Sequence, residues 1–176
     1  MGYKSVTDKP AVHEQDLSVH AGEIAFDEAA RLPSFAQCLE LLAFWSAISS
    51  ETPHYNTIRP DKLPSHILPI LFILDVEDGY TSKEPDFKWR LFGTAIRQRY
   101  GIEATGHLLS KAIDLDASIP ESLRLARKTL ATRQPHFMLT HFTKGERLEH
   151  CSSTILLPLA GDSGNVERIF GCTDWS

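Results

Sequence analysis

Positive charge is in short supply in this chain: 18 Lys and Arg stand against 23 Asp and Glu, giving a formal net charge of -5 over 176 residues. With no cationic excess to displace counterions from phosphates, nucleic-acid binding is not expected. Cysteine is also scarce. Cys38, Cys151 and Cys172 are far apart and show no Cys-x-x-Cys spacing, which argues against a disulfide framework. Long apolar runs are missing. The longest, around Leu39 to Ile48 and Leu68 to Leu74, fall well short of the ~20 residues that cross a bilayer. The polar opening MGYKSVTDKPAVHEQDLSVH carries no apolar leader segment, and Val6 stands where a myristoylation motif requires Ser or Thr. The expectation is a soluble, cytoplasmic protein that engages neither membrane nor nucleic acid.

Catalytic signatures are absent as well. The sequence holds no Gly-x-Ser-x-Gly elbow, phosphate-binding P-loop, dinucleotide glycine fingerprint or His-Glu-x-x-His helix. Gly161-Asp162-Ser163-Gly164 reads as a plain turn. No enzyme is expected on these grounds. What remains is an ordinary globular composition, 42% apolar and 23% charged, at a length suited to one domain.

Residues 1–31 are weakly patterned and read as a flexible or loosely packed arm; a domain is expected over 32–176. Ser34 with Gln37 suggests a capping box opening a helix over 34–50, with Cys38, Leu41, Leu42, Trp45 and Ile48 along one stripe. Such a greasy helix suits two partner surfaces. Leu41, Leu42, Trp45 and Ile48 are therefore the candidate dimer interface. Prolines at 60, 64 and 69 exclude a long helix in the connector that follows. Two strands are expected next, one ending near Glu77-Asp78-Gly79, the other with Phe87, Trp89 and Leu91 inward and Lys88, Arg90 and Phe92 outward. Short helices after Gly93 and Gly106 lead to a longer one, opened by Ser118 with Glu121 as a second capping box and stopped before Pro135. Arg97, Arg99, Arg124, Arg127 and Lys128 read as solvated helix faces. Three strands close the chain. A two-residue turn at Gly145-Glu146 pairs Lys144 with Arg147 and would set His141 opposite His150. The order predicts an α+β fold with five antiparallel strands, helices inserted between strands two and three, and helices packed on one face.

The ordered set Trp45, Arg59-Pro60 with Leu63-Pro64, Asp75-Val76, Trp89-Arg90-Leu91-Phe92-Gly93-Thr94, Gly101 to Gly106 and Leu157-Pro158-Leu159 resembles a bacterial family of short stand-alone PAS-fold domains. The resemblance spans roughly Leu39 to Asp174. It implies a PAS-like sheet with a small pocket, frequent homodimerisation, and service as a sensory or signalling module. Arg59 before Pro60 and His107 after Gly106 depart from the family pattern and leave its binding chemistry open.

On that reading Trp89, Tyr100, His107, Phe137 and Phe142 are the candidate ligand-binding residues. No cofactor is assigned: His107 alone makes no haem motif, and no flavin-photosensor segment occurs in the inserted helices. His141, His150 and Cys151 fall short of a zinc set, since alternation sends Cys151 away from His150; no metal is expected. Arg90 is expected to pair with Asp75. The function expected is a sensory or signalling module that binds a small molecule, or relays a signal through dimerisation and an unidentified partner protein. Two alternatives stand beside it: a protein-interaction module with a filled pocket, and a small enzyme of cone-shaped α+β fold that would need a carboxylate beside Tyr100.

Overall fold

The computed structural model describes residues 4–5, 17–77, 83–113 and 116–175. Its main sheet has six antiparallel strands, β2 (Ser18–Ile24), β3 (Leu71–Glu77), β4 (Asp86–Phe92), β6 (His136–Lys144), β7 (Arg147–Ala160) and β8 (Val166–Trp175), in spatial order β2-β6-β7-β8-β3-β4. A small parallel ladder, β1 (Lys4–Ser5) with β5 (Ile102–Glu103), lies apart from it. The helices are α1 (Phe26–Ala29), α2 (Ala36–Ile48), α3 (Thr94–Tyr100) and α4 (Ile119–Thr132). This is the expected α+β arrangement, with α3 and α4 inserted between β4 and β6.

Alternation along the strands gives the sheet two buried faces. Phe72, Leu74, Met138, Leu156 and Ile169 project to the side of α3 and α4, where Ile96, Leu123 and Ala126 meet them. Ile155, Leu157, Phe170 and Cys172 project to the side of α2, against Phe35, Cys38 and Leu41. Helices thus cover both faces rather than the one expected. Fully burying a side chain the size of Leu or Phe contributes about 1.5–3 kcal/mol, and both clusters hold several with no exposed surface.

The first correction concerns the arm. Residues 1–31 were expected to be flexible or loosely packed, yet Ser18–Ile24 form a regular edge strand, paired from Ser18↔Thr143 to Ile24↔Phe137. Its local signal is weak; what selects it is the backbone edge of β6, which would otherwise leave a row of donors and acceptors unpaired. The turn expected at Glu77-Asp78-Gly79 lies partly outside the described residues.

Two bulges correct the expected alternation. The β3–β4 register shifts between Ile73 and Leu74, so that Leu91 pairs with Ile73, Trp89 with Leu74, and Arg90 is the extra residue. Beyond it the faces exchange: Phe92 is 8% exposed and packs inward, while Leu91 is 38% exposed. In the last hairpin Lys144 pairs with Arg147 as expected, around Gly145 at φ 62°. A bulge then moves His141 opposite Cys151 and sets Phe142 opposite His150.

The capping boxes are used otherwise. The Ser34 hydroxyl accepts from Ser153 Oγ at 2.9 Å and Gln37 donates to Asp174 at 2.8 Å, so both side chains tie the start of α2 to the sheet. At α4, Asp116 Oδ1 accepts from the Ser118 backbone N–H at 2.7 Å, and Glu121 instead takes the Arg124 guanidinium and the Glu23 backbone N–H. Arg124 and Lys128 both reach Glu23 on β2, and Arg127 donates to the Pro85 carbonyl, so these residues are engaged rather than bare.

Candidate functional site

Between the sheet and the segment from α3 to α4 lies a cavity of about 70 Å³. At roughly 10–15 Å³ per water it has room for several waters. Its floor is the inward face of β3, β7 and β8, and its lining is mostly apolar, with five aromatic side chains, Phe72, Trp89, Phe92, Tyr100 and Trp175, among aliphatic ones. Trp89 meets Phe72 and Phe92 edge-on at ring separations of 5.9 and 4.9 Å, and Tyr100 meets Trp175 in the same way at 6.1 Å. Such contacts hold aromatic planes in defined orientations. The Arg90 bulge is what admits both Trp89 and Phe92, since strict alternation would have sent one of them outward.

Polar groups sit within this apolar wall. Asp116 lines the cavity, is 8% exposed, and has one oxygen, Oδ2, without a hydrogen-bond partner. The indole nitrogens of Trp89 and Trp175 are likewise buried and unpartnered. Buried polar atoms are paired in the great majority of cases, so three orphans among the residues of one cavity are unusual. The remaining hydroxyls are better served: Thr154 and Thr173 bond to each other at 2.9 Å and Ser122 donates to the Ser118 carbonyl at 3.1 Å.

Of the five residues expected to bind a ligand, the structure brings together Trp89 and Tyr100. His107 is exposed beside the β4 edge, where its carbonyl accepts from the Trp89 backbone N–H at 3.0 Å. Phe137 projects to the opposite face of the sheet, packing on Phe35 and Phe26. Phe142 shares the cavity's face of the sheet but lies outside the lining, its ring stacked on His150 at 4.3 Å. Asp116 and Trp175, which bear orphaned atoms, were not anticipated. Asp116 sits in a short link between helices, and Trp175 falls at the end of the last strand, where periodicity says little.

The dimer candidates occupy the inner side of α2. Leu41 has no exposed surface, and Leu42 and Trp45 are half-buried against the chain's own sheet, with Ile48 half-buried at the helix end. Leu41 therefore has nothing to offer a second subunit. His20, His141 and Cys151 form a cross-strand row on the α2 side of the sheet. Among the described residues no group of His, Cys, Asp or Glu is arranged to hold a metal ion.

On the rim, Asp75 accepts from Arg90 at 3.1 Å, as expected, and from Arg168 at 2.9 Å, and the Arg168 guanidinium lies 3.8 Å above the Tyr55 ring. Charge near the β2 edge is set by Glu23. Burial pushes its carboxyl up, but hydrogen bonds from Lys128 and Arg124 outweigh that and hold it below the usual range. His136, buried under α4, is held below the usual imidazole range chiefly by desolvation, against the pull of Glu23 at 3.8 Å.

The chain matches one family model, described as PAS domain, over residues 35–174. The chain belongs to the PAS domain family. No curated protein and no solved structure matches it. The PAS match begins within the turn before α2, so β2 and α1 are additions to the matched region. The family points to sensory or signalling service, and no helix among the described residues is long and apolar enough to cross a membrane.

Proposed function

We propose that this PAS domain is a non-catalytic sensor that binds a small molecule in the cavity between β3, β8 and α3–α4. The observation that carries the reading is the cavity itself: about 70 Å³ of space bounded by aromatic and aliphatic side chains in the middle of an otherwise packed core. Apolar clefts with a few polar groups are the usual form of small-molecule sites. A pocket filled by its own side chains, as a pure interaction module would have, is disfavoured by that space. Output would pass to a partner protein or to the self-association state, through surfaces other than the inner side of α2.

NMR shift mapping with a library of small fragments tests the reading. Shifts should cluster at Trp89, Tyr100, Met138 and Trp175. Binding that maps elsewhere, or no binding at all, would overturn it.

A second reading has one observation in its favour, because Asp116 and Tyr100 line the same cavity. A carboxylate and a phenol so placed could move a proton next to a carbonyl. Protein-catalysed deuterium exchange at the α-carbons of acetone in D₂O would support it, and exchange at the buffer rate would remove it.

A further inference from the structure

We propose that the groove between Lys83, the end of α4 and the start of β8 binds a soluble organic anion, a phosphate monoester on an apolar body. The groove holds about 550 Å³ and shares no lining residue with the cavity under α4, so this second site stands apart from the small-molecule reading above. Clefts of about 300–1,000 Å³ are the usual size of small-molecule sites.

Three cations carry the proposal. Lys83 comes from the approach to β4, Arg127 from α4 and Arg133 from its C-cap, and all three line the groove. None of them meets a carboxylate among the described residues; Arg127 donates through Nε to the Pro85 carbonyl at 2.9 Å. Lys128, the fourth cation of the lining, differs, because Glu23 takes its ammonium at 2.8 and 2.9 Å. No Asp or Glu is among the lining residues. Acids close in sequence are engaged elsewhere: Asp86 by Ser110, Asp162 by His54 and Glu167 by Ser163. A chain of net charge -5 has acids to spare, yet this groove receives none. Like charges gathered in one cleft repel one another and attract an anion.

The residues suit a phosphate ester in particular. Arg127 is half-buried and its Nε is held by Pro85, which leaves the two terminal nitrogens of a planar fork for oxygen acceptors. Arg133 is the one non-glycine residue at positive φ among the described residues, at 58°, where Gly or Asn would sit with less strain. The C-terminus of α4 opposes an anion with about half a negative charge, against three full positive ones. A phosphate monoester is a dianion above about pH 6, so it balances more of that charge than a monocarboxylate does. Leu130, Ala131 and Val166 complete the lining and give an apolar body something to cover, which inorganic phosphate would leave bare.

The test titrates phenyl phosphate, inorganic phosphate and phenol into the full chain at about pH 7.5 and low salt, followed by backbone NMR shifts. Phenyl phosphate should bind tightest, with shifts at Lys83, Arg127, Ala131 and Arg133 and an affinity that falls as salt is added. Lys83→Gln combined with Arg133→Asn should weaken it about tenfold. Both side chains are exposed and Asn tolerates the left-handed backbone at 133, so the double variant should keep its fold. Lys144→Gln, at the far end of β6 from α4, should leave the affinity unchanged. Equal weakening by Lys144→Gln, shifts outside the groove, phenol binding as tightly as phenyl phosphate, or no binding of phenyl phosphate would overturn the site. Inorganic phosphate binding as tightly as phenyl phosphate would overturn the ligand class. Tighter binding of a hexaglutamate peptide would also overturn it and assign the groove to an acidic protein partner. None of these outcomes bears on the cavity under α4.

Discussion

The indole nitrogen of Trp45 donates a 2.9 Å hydrogen bond to the carbonyl oxygen of Pro158, fastening α2 to β7. This is a core contact of one chain. Leu41→Ala, at a position with no exposure, should lower unfolding free energy by about 2–5 kcal/mol in urea titration. Trp45→Phe should cost about 1 kcal/mol by removing the bond. A Leu41 variant of unchanged stability that alters only the apparent mass on gel filtration would instead place that residue at a subunit interface.

Acid should destabilise the protein in two stages. Burial holds His136, and to a lesser degree of enclosure His150, below the usual imidazole range. The unfolded chain therefore takes up protons first as pH falls through about 6.5, and stability declines from there until the folded imidazoles titrate too. Glu23, Glu103 and Glu121 are held below the usual carboxylate range, so a second decline sets in below about pH 4.5. Urea midpoints from pH 8 to about 3 should show both limbs, and His136→Gln should flatten the upper one. A midpoint independent of pH between 7 and 5 would contradict this.

Gly93 has a packing reason. A Cβ placed there would sit 2.3 Å from the Pro69 carbonyl oxygen, which belongs to backbone and cannot move aside cheaply. Gly93→Ala should cost about 1–3 kcal/mol in thermal unfolding. Gly101 closes α3 at φ 66°, and Gly101→Ala should cost about 1–2 kcal/mol by strain alone. Equal stability of either variant with the parent would mean that the local backbone relaxes freely.

The Cys172 thiol lies 3.8 Å from that of Cys38, buried between α2 and β8. The hydrogen bond to Cys38 and the burial push its pKa well up. Both thiols are buried, so they should resist iodoacetamide in the folded protein and react on unfolding. Rapid native modification of Cys172 by peptide mass mapping would show that α2 opens readily.

Element order, the inserted helices and the glycines at 93 and 101 were legible because each has a local cause: periodicity, a helix stop, or a steric demand. What could not be read depended on partners remote in sequence. The seven residues of β2 are strand only because β6 lies alongside. Two bulges, at Arg90 and near Glu149, each add one residue and exchange the faces beyond it, which moved Phe92 into the cavity wall and separated His141 from His150. Ser34 and Ser118 look like caps from spacing, yet one is engaged by Ser153 across the fold and the other by Asp116 two residues back. The site followed the same division. Trp89 and Tyr100 lay within recognisable segments, whereas Asp116 and Trp175 matter only because of where the chain returns.

The pairing of Glu23 with Arg124 and Lys128, and of the Glu23 N–H with Glu121, has a mechanical meaning. The helix that roofs the cavity is tethered to the outermost strand of the sheet. A displacement of that roof would load β2, one of the two strands at the rims of the sheet, before it reached the strands between them.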